Sequence, residues 1–359
     1  VNPIRHSPLE AWSTEAPLVS VAMITYNQAE YITQAIESVL MQATNFPVEL
    51  VIGEDCSTDA TRGIVQEYAA RHPDIIRPIL HAQNMGMGRN AASVFQSCRG
   101  KYIAVLEGDD YWTDKHKLMR QVEFMEREPD CAVCHHRILA TGNSSSADSY
   151  EYPPEQWRRE RVDGDELLDV NFIQTCSVLY RAATFPTLTE DFIHLQVLDW
   201  PIAIISSRHG WVGYLDRCMA VYRLHASSSW QAKPFEQRCY HTLKMFEVVE
   251  QAIQSSEREH VSDRLNKTRL QMASACRGDH QPAWTRKVAR ICLNRARAKG
   301  CKRRYAFLLR AAILFLTTVL PPRLAHFLFL ATVLPPRLAR FVRRKALSLR
   351  NQCARSSHI

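Results

Sequence analysis

From Leu18 onward, short apolar runs alternate with stretches whose apolar residues recur at helical spacing. "LVSVAMITYN" is rich in β-branched residues and predicts a strand, and "QAEYITQAIESVLMQ" follows it with Ile32, Ala35, Ile36, Val39 and Leu40 on one helical face. "VELVIGED" predicts a second strand, and "STDATRGIVQEYAARHP" a second helix opened by a Ser, Thr and Asp cluster suited to capping. "IIRPILH" predicts a third strand, "GRNAASVFQSCRG" a helix ended by Gly100, and "KYIAVLE" a fourth strand. Strand and helix alternate at βαβ spacing, which points to a parallel, doubly wound sheet. Ligands of such sheets gather at the carboxyl ends of the strands.

Those ends are polar and acidic here: Thr25, Tyr26 and Asn27 after the first strand, Glu54 and Asp55 after the second, Asn84 after the third, and Glu107, Asp109 and Asp110 after the fourth. No GxGxxG follows the first strand and no GxxxxGK[ST] occurs, so a phosphate ligand would lack its usual backbone cradle. A divalent cation held by the acids of "EGDD" would neutralise it instead, and hard oxygen ligands suit Mg²⁺ or Mn²⁺. The competing reading is a solvated turn in which Asp109, Asp110 and Asp114 serve only to open the helix "TDKHKLMRQVEFMERE".

Charge divides the chain. Residues 281–359 hold 18 of the 45 Lys and Arg and none of the 37 Asp and Glu. Helical periodicity begins with "RCYHTLKMFEVVEQAIQ" and continues through charged residues 257–310, after which "TVLPPRLA" occurs twice, at Thr318 and at Thr332. The apolar runs of this tail fall short of a spanning helix and are interrupted by Pro pairs, so Arg-flanked contact with an anionic membrane surface fits it better than spanning or nucleic-acid binding, with solvated or self-packed helices as the competing reading. Eleven cysteines and an N-terminus without an apolar signal run predict a reduced, cytosolic chain. "CAVCHH" at Cys131 to His136 is compatible with a metal or haem site, but no second ligand pair follows, which favours a strand with apolar thiols.

Together "VSVAMITYNQAEYITQAIESVLMQ", "VELVIGEDCSTDATRGIVQEYA", "NMGMGRN" and "GKYIAVLEGDDYW" resemble the nucleotide-sugar-binding half of family 2 glycosyltransferases with the GT-A fold. The resemblance covers residues 18 to 230 and implies roles position by position. Thr25, Tyr26, Asn27, Asn84 and Asn90 would line the nucleotide pocket, and Asp55 or Glu54 would contact the base, although Glu-Asp-Cys stands here in place of the family's Asp-Asp-Gly. Asp109 and Asp110 would hold the metal and the ribose, with Glu107 replacing a more usual Asp. "DVNFIQTCSVLYR", with Asn171, Gln174 and Thr175, resembles the acceptor-side segment, and Asp199 stands where the family carries its general base. Without the resemblance, Asp199 ahead of Pro201 also reads as a helix N-cap. In "AVYRLHASSSW", Arg223 would lie near the phosphates and His225 would approach the metal. Trp112, Trp200, Trp211 and Trp230 are candidates for a sugar-stacking face.

The expectation is therefore an α/β chain with a mixed, mainly parallel GT-A sheet flanked by helices. An N-terminal lead (1–17) would precede a glycosyltransferase domain over 18–235, with a nucleotide-binding half (18–135) and an acceptor half (136–235). A helical, basic region would follow over 236–359, with a membrane-interface segment at 306–346. The implied activity is inverting, metal-dependent transfer from a nucleotide sugar, a UDP-sugar first, to a glycan or lipid-linked acceptor in cell-surface polysaccharide synthesis, at the cytoplasmic face of the inner membrane. A nucleotidyltransferase would usually show a Gly-rich basic loop after the first strand, and a non-catalytic nucleotide-sugar-binding module would need neither Asp199 nor His225. The Ser-rich "TGNSSSADSYEYPPEQW" reads as a loop.

Overall fold

The computed structural model describes residues 16–142, 149–225, 230 and 233–278. β1 (Val19–Thr25) and β2 (Val48–Glu54) are buried almost throughout, as strands covered on both faces must be, which is why their sequences read as apolar runs. Between them α1 (Ile32–Leu40) buries Ile32, Ala35, Ile36 and Val39, the stripe its spacing predicts. α2 (Thr61–Arg71) begins where the Asp59 carboxylate accepts the Thr61 N–H at 2.9 Å. β3 (Ile76–Leu80), α3 (Met87–Ser97) and β4 (Tyr102–Val105) complete the alternation, with α3 ending ahead of Gly100 at Cys98, whose backbone is extended.

From here the direction of the chain changes. β5 (Tyr111–Trp112), α4 (Lys117–Arg127), β6 (Cys131–Gly142), β7 (Tyr150–Tyr152), β8 (Arg161–Val162) and β9 (Leu179–Arg181) lead to the short α5 (Glu190–Ile193), then α6 (Asp199–Ser206) and β10 (Trp211–Leu224). One ten-stranded sheet results, in the order β3-β2-β1-β4-β9-β6-β10-β5, with β7 on β6 and β8 on β10. β1 is parallel to β2 and β4, and β2 to β3. β9 runs antiparallel to both β4 and β6, so it joins the parallel half to the second half, where β6 and β10 pair in parallel. The sheet is thus mixed, and the doubly wound alternation holds only as far as β4. β7 lies in the segment expected to be a loop, paired antiparallel with Ile138 to Ala140.

The chain forms two compact units, Val1–Ile253 and Gln254–Ile359. The first includes α7 (Phe235–Ala252); the second contains α8 (Arg258–Gly278), a helix in the stretch where periodicity predicts one. The repeat and the membrane-interface segment 306–346 lie outside the described residues, as does most of the N-terminal lead. Among the described residues no helix is long and apolar enough to cross a membrane.

At the amino edge of the sheet a buried acid ties the first three strands together. Glu49 of β2 accepts from Ser20 Oγ (2.6 Å), from the Arg99 backbone N–H (2.9 Å) and from the Arg99 and Arg77 guanidiniums (both 2.8 Å). Burial alone would raise its carboxyl, but these hydrogen bonds outweigh it and hold Glu49 below the ordinary glutamate value. A depressed acid contributes stability above its unfolded value and loses it as pH falls through the folded one. Glu49→Gln is therefore expected to lower the unfolding free energy at neutral pH by about 1–3 kcal/mol, nearer the low end because both arginines are half exposed. The gap from wild type should close through the acid range, which urea unfolding at several pH values checks.

Candidate active site

The carboxyl ends of β1, β2 and β4 open onto a cavity of about 770 Å³ that also meets β7, β9 and the start of α6. Thr25, Tyr26, Asn27, Asp55, Asn84 and Asn90 line it, as the resemblance implies for a nucleotide pocket. Several of them are occupied with holding loops. Asn27, in a left-handed conformation (φ 52°), accepts the Thr58 N–H at 2.8 Å and so clasps the β1 loop to the β2 loop. Asn90, 2% exposed, donates to the Gly53 carbonyl at 2.9 Å. Gly53 admits it, since a Cβ there would lie 2.0 Å from Asn90 Oδ1.

The two acids after β2 part company. The Glu54 carboxylate is fully buried and committed to the Ser57 N–H (2.7 Å) and Arg62 (2.5 Å), and it is absent from the cavity lining. Asp55 does line the cavity, its carboxylate held by the backbone N–H groups of Met85 (2.6 Å) and Gly86 (2.9 Å). Consecutive residues at a strand end point to opposite sides, so only one of the pair can face a ligand.

After β4, Glu107, Asp109 and Asp110 bring one carboxylate oxygen each within 4.8 Å of one another, and among the described residues they are the one group of three or more metal-capable side chains. Glu107 and Asp109 line the cavity. Asp110 is fully buried and faces β10, where Oδ1 accepts the Arg223 N–H at 2.9 Å while Oδ2 has no hydrogen-bond partner. Burial, then Asp109, then Asp199 push Glu107 up to about 8; burial, then Asp109, then Glu107 raise Asp110 well above the aspartate range. His225 Nε2 lies 3.0 Å from Asp109 Oδ2, with its ring 5.0 Å from that of Tyr31. A divalent cation fits this donor set: hard oxygens, an adjacent imidazole, a buried oxygen lacking a partner and repulsion that a positive charge would remove.

Arg223 is placed otherwise than expected. Its guanidinium lies over the rings of Tyr111 (4.4 Å) and Tyr31 (5.1 Å), donates to the Asp109 carbonyl and to Gln34, and is absent from the cavity lining. It braces the acidic turn from outside. The tryptophans also divide. Trp112 is buried, donating to the Cys176 carbonyl at 2.8 Å with the Lys117 ammonium 3.9 Å from its ring centroid. Trp211 packs edge-on against Phe124. Only Trp200 and Trp230 reach the cavity, which removes the other two from any sugar-stacking face.

Asp199, first residue of α6, lines the same cavity as the acidic turn and accepts from Asn171 Nδ2 at 2.9 Å. Burial raises its carboxyl, with the Trp200 N–H and Asn171 acting against it. Gln174 and Thr175 line it too. Sequence reasoning missed Tyr150 and Tyr152 of β7 and Gln28 after β1, all of which line the cavity. The alternation Tyr-Glu-Tyr was the available strand signal within that Ser-rich stretch. "CAVCHH" forms β6 with Cys131 and Cys134 buried as free thiols. His135 and His136 are buried too, and burial pushes His135 down to about 3.

The family model described as Glycosyl transferase family 2 matches residues 20–185. An uncharacterized protein of Mycobacterium tuberculosis is 42% identical over 220 residues, 61% of this chain and 62% of the relative, so the chain spans under two thirds of that relative's length. The putative teichuronic acid biosynthesis glycosyltransferase TuaG of Bacillus subtilis is 30% identical over 223 residues, 60% of this chain and 84% of TuaG. Among solved structures, TarS of S. aureus in complex with UDP-GlcNAc superposes with a TM-score of 0.55 at 17% identity, over 92% of this chain and 91% of that one. The mannosyltransferase PcManGT of Pyrobaculum calidifontis, in complex with GDP-Man and Mn²⁺, gives 0.51 at 16% identity, over 88% and 90%. The fold is that of the GT-A glycosyltransferases. By sequence, the chain belongs to glycosyl transferase family 2.

The acidic turn depends on Gly108, where a Cβ would lie 2.6 Å from Gln28 Oε1 and 2.9 Å from Thr25 Oγ1. Gly108→Ala must push Gln28 and Thr25 or the turn aside, and is expected to weaken any Mn²⁺ binding by up to about tenfold, ~1.4 kcal/mol, read by EPR of free Mn²⁺. The far loops should keep their structure, so far-UV circular dichroism should be unchanged.

Proposed function

We propose that the chain is an inverting glycosyltransferase that moves a sugar from a nucleotide-sugar donor to a hydroxyl of a glycan or lipid-linked acceptor. The observation that carries this reading is the convergence of Asp55, the acidic turn and Asp199 on one cavity, from three separate elements. UDP-GlcNAc on TarS, and GDP-Man with Mn²⁺ on PcManGT, support by likeness of fold a nucleotide sugar and a divalent cation as the ligands here.

In this reading Asp55 meets the base, with Thr25, Tyr26, Asn27 and Asn84 around it, and Asn90 supports the floor. Glu107 and Asp109 face the ribose and diphosphate. Asp109 and His225 would hold the cation, Asp110 adding its free oxygen from behind, and Arg223 keeps the Asp109 backbone in place. When bound, the cation supplies positive charge to the departing diphosphate. Asp199 takes the acceptor's hydroxyl proton as that oxygen bonds to the anomeric carbon. The bond from that carbon to the phosphate oxygen breaks, and its electron pair leaves on the nucleoside diphosphate. A single displacement from the opposite face inverts the anomeric centre and needs no covalent enzyme intermediate.

Calorimetric titration with UDP and with GDP, with Mn²⁺ and with chelator, tests the donor half. One nucleotide is expected to bind only with Mn²⁺ and only while Asp109 is intact, so Asp109→Asn abolishes the signal; metal-dependent binding of no nucleotide would overturn the reading. Asp199→Asn is expected to keep donor binding while lowering turnover by about 10²–10⁴, the usual worth of a positioned base. Because Asp199 must be ionised to act and its carboxyl is raised, the acid limb of the rate profile should lie above the ordinary aspartate range. Full turnover persisting through that range would exclude Asp199 as the base.

A further inference from the structure

We propose that Asn171 is the positioning residue for Asp199, its amide holding the carboxylate ionised and in one orientation toward the cavity. The inference rests on the reading of Asp199 as the base, and it concerns a residue 28 positions away in sequence that meets Asp199 only through the fold.

The direction of the amide follows from its two partners. Asn171 Oδ1 accepts the Ile173 N–H at 3.1 Å, and Nδ2 donates to Asp199 Oδ2 at 2.9 Å. Turning the amide over would set N–H against N–H at Ile173 and oxygen against carboxylate at Asp199, so only one orientation satisfies both. The backbone is pinned as well, because the Asn171 carbonyl accepts from the Tyr152 hydroxyl, and Tyr152 lines the same cavity. Asn171 is thus held by β7 on one side and by its own turn on the other. One N–H of its amide is thereby aimed at the base.

The surroundings of Asp199 make that donation consequential. The titratable groups around it are Glu107 from the loop after β4, Tyr152 from β7 and Tyr180 from β9, which are acidic or neutral. Among the described residues no basic side chain forms an ion pair with Asp199. Its charge is therefore supported by neutral donors, the Trp200 N–H at the start of α6 and the Asn171 amide. A carboxylate accepting a fixed amide hydrogen bond is favoured over its protonated form, which would place a second hydrogen in the same arc. The same bond fixes the rotation of the carboxylate, which a base must present to the incoming hydroxyl.

The test is a titration of Asp199 by carbon NMR on protein labelled at the aspartate carboxyls, in Mg²⁺ buffer. The Asp199 signal is identified by its loss in Asp199→Asn. Asn171→Leu removes the donor and is expected to raise the Asp199 midpoint by about one pH unit, the scale of one charge-assisted hydrogen bond. Asn171→Ala removes the same donor with a smaller side chain and keeps the fold testable should the leucine variant unfold; it too should raise the midpoint. Midpoints equal to wild type in folded variants would overturn the proposal. The measurement needs no nucleotide: a moved midpoint in a protein that binds no nucleotide supports control of Asp199 by Asn171 and removes the transferase reading, whereas an unmoved midpoint in a nucleotide-binding protein removes the positioning role alone.

Discussion

Like charges held close in a partly buried site cannot all persist without compensation. The oxygens of Glu107, Asp109 and Asp110 lie within 4.8 Å of one another. At that spacing, and at an effective dielectric of about 20, each ionised pair repels by about 3.5 kcal/mol. The protein supplies partial relief through the Arg223 N–H on Asp110 and the imidazole of His225 beside Asp109. The remainder appears as raised carboxyls, Glu107 pushed up to about 8 and Asp110 well above the aspartate range. A pocket built this way favours a cation from the moment it folds.

Much of the second half of the sheet serves to enclose that turn. β9 crosses antiparallel between β4 and β6, and β10 returns to the turn from more than a hundred residues away, pairing Val221 with Tyr111 and Ala220 with Trp112. This pairing sets Arg223 and His225 at the end of a long strand, directly against the acids. Trp112 and Lys117 fill the space beneath, so the two aromatic residues after "EGDD" have different duties: Trp112 is core, and Tyr111 carries the Arg223 guanidinium. α6 meanwhile brings Asp199 to the same cavity.

The first half was legible because each element there is defined by local periodicity. α1 and α2, with the strands around them, fall where the alternation of apolar residues places them, and the polar strand ends do line one cavity. The second half depends on long-range pairing, which no local pattern encodes. The antiparallel course of β9 is of this kind, whereas β7 has only the brief Tyr-Glu-Tyr alternation as a local signal. The choice between Glu54 and Asp55 also lies beyond local pattern, decided by which side of a strand end faces the cavity and by the presence of Arg62 on the other. The place of Arg223 in its motif suggests a phosphate neighbour, but its stacking on Tyr31 and Tyr111 and its bond to the Asp109 carbonyl come only from the fold. Trp112 and Trp211 carried no signal distinguishing a core indole from a binding one.

Proton release on metal binding tests most directly whether the acidic turn is a cation site. Burial and the neighbouring carboxylates raise Glu107 to about 8 and Asp110 well above the aspartate range, and a cation bound beside them opposes that rise, so Mn²⁺ titrations at neutral pH in buffers of different ionisation enthalpy should report net proton release. Mn²⁺ binding that releases none, or no binding at all, would contradict the account.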